Sequence, residues 1–188
     1  GEILGFTGLL DSGRNELALA MAGVAPADSG DLQLDNELQH FKTPADAIRK
    51  GIGYVPEDRL SEGLFLDKPI RDNVVTAVLD RLLGRFGMLD ASKGDGLAEY
   101  MVKDLQIVAP NVMLPVQSLS GGNQQRVLIG RWLAIEPRVL ILHGPTVGVD
   151  VGSKDTIYRI VQRLAEQGLS VIIISDDLPE LLQNCDRI

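Results

Sequence analysis

Four short runs rich in aliphatic residues punctuate the chain: Ile3 to Phe6, Ile52 to Val55, Val139 to Leu142 and Val171 to Ile174. Each reads as a strand buried on both faces. Stretches with helical spacing or composition lie between them. Asn15–Ala22 follows a glycine loop, and Thr43-Pro44 opens a short helix that runs to Lys50. Residues 69–83 carry apolar positions at helical spacing, as do Leu97, Tyr100, Met101 and Leu105. Ser153–Glu166 and Leu178–Leu182 complete the set, and Gly84 to Gly96 reads as a loop between helices. Leu32-Gln33-Leu34 alternates like an exposed strand among turn residues. Strands separated by helices predict an α/β fold, a parallel sheet covered on both faces. The purely helical middle, about 68–130, reads as an insertion. Residue 1 already opens a strand-like run and Ile188 falls where another could start, so the chain is expected to be part of a longer protein.

Length and charge narrow the class. At 188 residues the chain suits one domain, large enough to bury a core without a disulfide or metal staple. The net charge of −8 argues against nucleic acid as the main partner, because no basic face dominates. A local pocket on an acidic protein can still bind phosphate. One cysteine, Cys185, cannot form an internal disulfide, which favours a reducing compartment. No apolar run approaches the ~20 residues a membrane helix needs. A role in a membrane process would be exercised from the cytosolic side, through a partner.

Two segments carry candidate phosphate chemistry. Gly8-Leu-Leu-Asp-Ser-Gly-Arg-Asn15 has the glycine spacing of a phosphate loop, whose backbone N–H groups cradle phosphates, whose Lys reaches the outer phosphates and whose hydroxyl binds Mg²⁺. Gly8 and Gly13 are in place, while Arg14 replaces the Lys and Asn15 the hydroxyl. Asp11 and Ser12 lie inside the loop. Arg14 keeps the charge in a bulkier planar fork. The second segment is Leu119-Ser-Gly-Gly-Asn-Gln-Gln-Arg-Val127. Ser120 followed by Gly121 and Gly122 opens a helix whose free N–H groups and dipole attract phosphate oxygens.

Leu119, Ser120, Gly121, Gly122, Asn123 and Gln124 together resemble the signature segment of ABC-transporter ATPases, in the variant of ribose- and galactose-type sugar importers. Other motifs follow in that family's order. Gly-Tyr-Val-Pro-Glu57-Asp-Arg59 resembles the Q-loop region of the second of two fused cassettes. Val139–Thr146 sits at the Walker B position, Gly148-Val-Asp150 resembles the D-loop, and Ile174-Ser-Asp176-Asp-Leu-Pro-Glu180 falls at the switch position. The resemblance implies one ABC-type nucleotide-binding domain over 1–188, truncated at both ends. It implies a P-loop NTPase (RecA-like) core, a helical subdomain and part of an antiparallel β subdomain. It also implies ATP held between the phosphate loop of one cassette and the signature of another.

The departures cluster in the chain's own pocket. The positions of the metal-binding Asp and the water-polarising Glu hold His143 and Gly144. A general base contributes about 10²–10⁴-fold, and glycine supplies none of it. Imidazole is a poor substitute for a hard oxygen beside Mg²⁺. The switch His position holds Asp176 and the Q-loop position Glu57. The expectation is a catalytically degenerate cassette that binds ATP weakly or not at all in its own site and has no metal of its own. Mg²⁺ would sit at the partner's site. The signature and Asp150 would serve ATP bound by a competent cassette, fused or in the same complex. Membrane permease subunits would be its further partners on the inner face of the plasma membrane. Two alternatives stand beside it: an ATPase with Glu57 or Asp176 as a displaced base, and a non-transport scaffold. The scaffold has against it that folding alone is expected to give no reason for Ser-Gly-Gly-Asn-Gln-Gln.

Overall fold

The computed structural model describes residues 1–9, 11–84 and 87–188. Leu10 of the glycine loop, and Arg85 and Phe86 of the expected Gly84–Gly96 loop, lie outside the described residues.

The four aliphatic runs form one parallel sheet in the order β1-β6-β5-β4, with β1 at Ile3–Phe6, β4 at Ile52–Val55, β5 at Val139–His143 and β6 at Ser170–Ile174. Register pairs Ile3 with Val171, Leu140 with Val171 and Ile52 with Val139. Alternation along these strands splits the core in two. Ile141 and Ile174 pack with Ala18 and Ala47 beneath helices α1 (Arg14–Met21) and α2 (Pro44–Arg49). Leu140, Leu142, Val171 and Ile173 face the opposite layer, formed by α5 (Gly121–Leu133) and α6 (Val151–Glu166). The α/β expectation and the strand assignments therefore hold, each strand end falling within a residue of its expected place.

Between β4 and β5 the described residues form helices and turns and no strand of the sheets. A π-helical turn spans Arg59–Gly63, α3 Ile70–Val75, a 3₁₀ segment Thr76–Leu82 and α4 Ala91–Asp104. Backbone pairing of Pro69 with Pro115 closes the two ends of this insert. Helix α5 is buried on every side from Gly122 to Arg131, wedged between the insert and the sheet. A last helix, α7, spans Leu178–Asn184.

One sequence expectation is corrected, and two elements had not been anticipated. The loop expected as far as Gly96 stops at Asp90, whose carboxylate caps α4 by accepting from the Lys93 N–H at 3.2 Å. Strand β3 (Glu37–Gln39) pairs antiparallel with β2 (Leu32–Leu34) through Asp35 and Asn36, both with positive φ. That is the turn a tight hairpin requires, and the Asp-Asn dipeptide was its unused signal. The π turn after Pro56 had no sequence expectation at all.

Candidate functional site

In a parallel sheet the loops at the carboxyl ends of the strands gather on one edge. Here that edge brings together the Gly8 loop after β1, Asp176 after β6, His143 at the end of β5 and Glu57 after β4. Gly13, left-handed at φ 82°, turns the loop into α1. Arg14 bends back along it. Its Nη1 donates to the Gly8 carbonyl at 2.7 Å, and its Nη2 lies 3.7 Å from Asp176 Oδ2. The cation expected to reach phosphate is thus turned onto the loop itself and onto Asp176. Asp176 is accordingly an ion-pair partner and not an isolated negative charge, while the cap of α7 is Asp177, which accepts from the Glu180 N–H at 3.2 Å. Ser12 leans over Gly8, its Oγ 2.5 Å from the place a Cβ there would take. Asp11 is exposed.

Beside the loop, His143 is buried at 7% exposure. Its Nε2 lies 3.1 Å from Asn15 Oδ1 and 3.5 Å from Glu57 Oε2, and its Nδ1 lies 3.2 Å from the Tyr54 hydroxyl. With Nε2–H donating to Asn15, Nδ1 accepts from the phenol, an order that suits a neutral ring. Burial pushes the His143 pKa below its usual value, and Arg14 acts the same way against the opposing pull of Glu57 and Glu62. Burial, then Glu62 and Glu57, push the Tyr54 phenol up to about 12, so it stays a donor. These side chains open onto a cavity of about 550 Å³.

Gly144 follows with φ 55°, its N–H donating to the Ile174 carbonyl at 2.8 Å. A Cβ there would fall 2.9 Å from Glu57 Cγ and 3.0 Å from Val147 Cγ2. Glu57 therefore lies across the space where a side chain at 144 would begin.

The signature segment lies elsewhere, at the start of α5. Ser120 is its exposed N-cap, and its Oγ accepts from Asn123 Nδ2 at 2.9 Å. The hydroxyl proton and the first-turn N–H groups stay available for an outside acceptor. Asn123 and Gln124, expected to face a partner's nucleotide, turn inward. Asn123 Oδ1 accepts from the Val108 N–H and from Arg126 Nη2, both at 2.8 Å. Gln124 Nε2 donates to the Leu119 carbonyl at 3.2 Å, and Leu119 itself packs on the core. The glycines also have internal reasons. A Cβ on Gly121 would meet Arg59 Nη2 at 2.9 Å and the Gly148 carbonyl at 3.1 Å, and one on Gly122 would meet Ser153 Oγ at 2.3 Å. The expectation that folding gives no reason for this string is therefore corrected in part: packing and internal bonds account for Gly121, Gly122, Asn123 and Gln124, while Gln125 is buried with its Nε2 unpartnered.

Asp150 caps α6, accepting from Ser153 Oγ at 2.8 Å and from the Ser153 N–H at 2.9 Å, bonds that hold its carboxyl below the usual range. The sequence reading passed over Glu180 of α7. It accepts from Thr146 Oγ1 at 2.5 Å and Tyr158 OH at 2.7 Å and pairs with Lys154, joining α7, the loop after β5 and α6. Burial raises its pKa, but the bonds from Lys154, Thr146 and Tyr158 outweigh that and hold it low. Arg59 was passed over as well. Both residues stood inside quoted motifs, and only the fold reveals their partners.

Residues 1–147 match the family model described as ABC transporter. The chain belongs to the ABC transporter family. The cassette is 45% identical over its whole length to the ribose import ATP-binding protein RbsA of Hahella chejuensis, and covers 38% of that protein. It is also 45% identical to a putative ribose/galactose/methyl galactoside import ATP-binding protein of Agrobacterium fabrum, again covering 38%. The chain thus spans under two-fifths of the length of these curated relatives. Solved structures give the same P-loop NTPase fold. The ADP conformation of MJ1267, an ATP-binding cassette of an ABC transporter, superposes with a TM-score of 0.76 at 22% identity, covering 98% of this chain and 72% of that one. CbiO1 from Clostridium perfringens, part of the ABC transporter complex cbiONQ, gives 0.79 at 22%, covering 98% and 71%.

Proposed function

We propose that this domain is a cassette of a ribose/galactose-class sugar importer that presents its signature segment, in trans, to ATP bound by a competent cassette. Its own pocket binds nucleotide weakly and does not turn it over. The helices between β4 and β5 are its helical subdomain. Permease subunits are its membrane partners, and it works on the cytoplasmic face; no helix among the described residues is long and apolar enough to cross a membrane.

The observation that carries this reading is the hydrogen bond between His143 Nε2 and Asn15 Oδ1. In the family these two positions hold Mg²⁺. Here they hold each other, and a protonated Nε2 has no lone pair for a metal. Mg²⁺ asks for hard oxygens in near-octahedral array, and this donor set does not fit it. Gly144 brings no base. Ser120, by contrast, keeps its hydroxyl and the first turn of a 13-residue helix open to an outside phosphate.

Two measurements test the reading. Nucleotide binding by the purified domain should be weak and indifferent to Mg²⁺. Ser120→Arg in the complete transporter should abolish transport-coupled ATP hydrolysis; an unchanged rate would overturn the trans role. A second reading, with Glu57 as a displaced base, draws on its place across the gap at Gly144. It requires Mg²⁺-dependent turnover by this domain that disappears in Glu57→Gln.

A further inference from the structure

Two side chains expected from the sequence to serve the trans site come from different parts of the fold. Ser120 starts α5, and Asp150 starts α6 after the Val147–Gly148 turn. Among the described residues no hydrogen bond runs directly between the first turn of α5 and that turn. Arg59 stands between them. Its Nη1 donates to the Val147 carbonyl at 2.6 Å and its Nη2 to the Gly148 carbonyl at 3.0 Å. Nη2 also lies 2.9 Å from the place of a Cβ on Gly121. Gly148 is left-handed at φ 66°, the conformation in which the turn presents its carbonyl to the guanidinium.

Arg59 is itself held from behind. It begins the π turn Arg59–Gly63, which Asp58 caps by accepting from the Leu60 and Ser61 N–H groups at 3.0 and 3.1 Å. At the far end, the Gly63 carbonyl accepts from Arg131 of α5, and Gly63 packs so closely on Leu128 of α5 that a Cβ would lie 2.6 Å from its Cδ2. The π turn is thus a short strut. One end is anchored on the body of α5, and the other reaches across the helix's first turn to the loop after β5. Arg59 Nε is buried and has no partner, so this placement is not explained by saturation of its donors.

We propose that Arg59 is a positioning residue for the trans phosphate site. Its planar fork fixes the spacing between the N-terminus of α5 and the Val147–Gly148 turn, so that Ser120 and Asp150 form one face. The inference rests on the proposed trans role. A fork that grips two successive carbonyls is not reproduced by the single point charge of lysine.

The test uses the complete transporter in proteoliposomes. Arg59→Met keeps an apolar stem and removes the fork. It should lower kcat for ATP hydrolysis by about 10- to 100-fold, the scale of an ångström-level misplacement. KM for ATP should stay within about twofold, because the nucleotide is held by the other cassette. Arg59→Lys should fall between. Combined with Asp150→Ala, Arg59→Met should cost little beyond the larger single effect. A kcat within about twofold of wild type, or a loss that only tracks the fraction of folded protein seen by circular dichroism, would overturn the proposal. So would simple additivity with Asp150→Ala. If Arg59→Met does not fold, Gly121→Ala displaces the guanidinium with Arg59 retained and should lower kcat in the same way; a wild-type kcat there also overturns it. Ser120→Arg separates the levels. If it leaves the rate intact, the trans reading fails; if it abolishes the rate while Arg59→Met does not alter it, only the role of Arg59 fails.

Discussion

Returning a side chain to position 144 should damage the protein before it can help any chemistry. Gly144 has φ 55°, in the left-handed region. An L-residue held there costs about 1–2 kcal/mol. Its Cβ would also press on Glu57 Cγ at 2.9 Å and Val147 Cγ2 at 3.0 Å. Both side chains are half exposed, at 47% and 45%, so they can rotate away at about 0.5–1 kcal/mol. Gly144→Ala should therefore destabilise by about 2 kcal/mol, a fall in Tm of about 4–8 °C for a domain of this size. Gly144→Glu adds a second carboxylate beside Glu57, worth about 1 kcal/mol more in a solvated setting. Thermal unfolding followed by far-UV circular dichroism, with urea midpoints as a check, measures both. Restored glutamate alone should also give no Mg²⁺-dependent hydrolysis, since His143 and Asn15 remain bonded to each other. If either variant melts within about 1 °C of wild type, position 144 does not need the left-handed conformation and the reasoning is wrong.

Further outcomes follow from other sites. His143 has a folded pKa below its ordinary 6.5, so between the two values the unfolded chain binds more protons. Its contribution is fully present above pH 6.5 and is lost as pH falls through the folded value; wild type should lose stability over that window relative to His143→Gln in urea titrations. Arg131 is buried without a carboxylate and donates to the Asn73 carbonyl, Asn73 Oδ1 and the Gly63 carbonyl, and burial pushes its pKa down to about 10. Arg131→Met strands these acceptors and should cost about 2–3 kcal/mol with an unchanged urea m-value. Gly122→Ala drives a methyl into Ser153 and should cost about 1–3 kcal/mol. A Gly122→Ala/Ser153→Gly cycle should show favourable coupling of about 1 kcal/mol or more, and additivity would refute the close contact.

The sheet was legible because Val139–Leu142 and Val171–Ile174 are aliphatic on both faces, a pattern only a covered parallel strand needs. The π turn was not, because its stability comes from Asp58 and from Arg131, whose sequence separation from the Gly63 it bonds is 68. Helix α4 was read six residues short, from Ala91 to Gly96, because Gly94 and Gly96 look like loop residues. Gly94 is in fact a contact surface, placing its backbone against Val75 and Leu82. For the site, spacing located every motif but not its direction. Nothing near them in sequence says that Arg14 faces Asp176 after β6, or that Asn123 turns inward to accept from the Val108 N–H, since those partners are brought up by the fold.

The pocket residues that depart from the resembled motifs come in pairs that span two elements. His143 of β5 bonds Asn15 of α1, Asp176 after β6 pairs with Arg14 of α1, and Gly144 leaves the room that Glu57 after β4 fills. Reverting one member strands the other. An aspartate at 143 would set a buried carboxylate between Glu57 and the oxygen of Asn15 with no cation between them. A histidine at 176 would leave Arg14 beside the Gly8 carbonyl without its counter-charge. Coupling of this kind means that each single substitution toward the resembled motif should cost stability without building a complete metal site. Recovery of Mg²⁺-dependent nucleotide binding should therefore require Asn15→Thr and His143→Asp together, with each single change weaker than the pair by more than additivity allows. Isothermal titration of the four proteins with and without Mg²⁺ decides it, and a single variant that binds as well as the double would break the pairing.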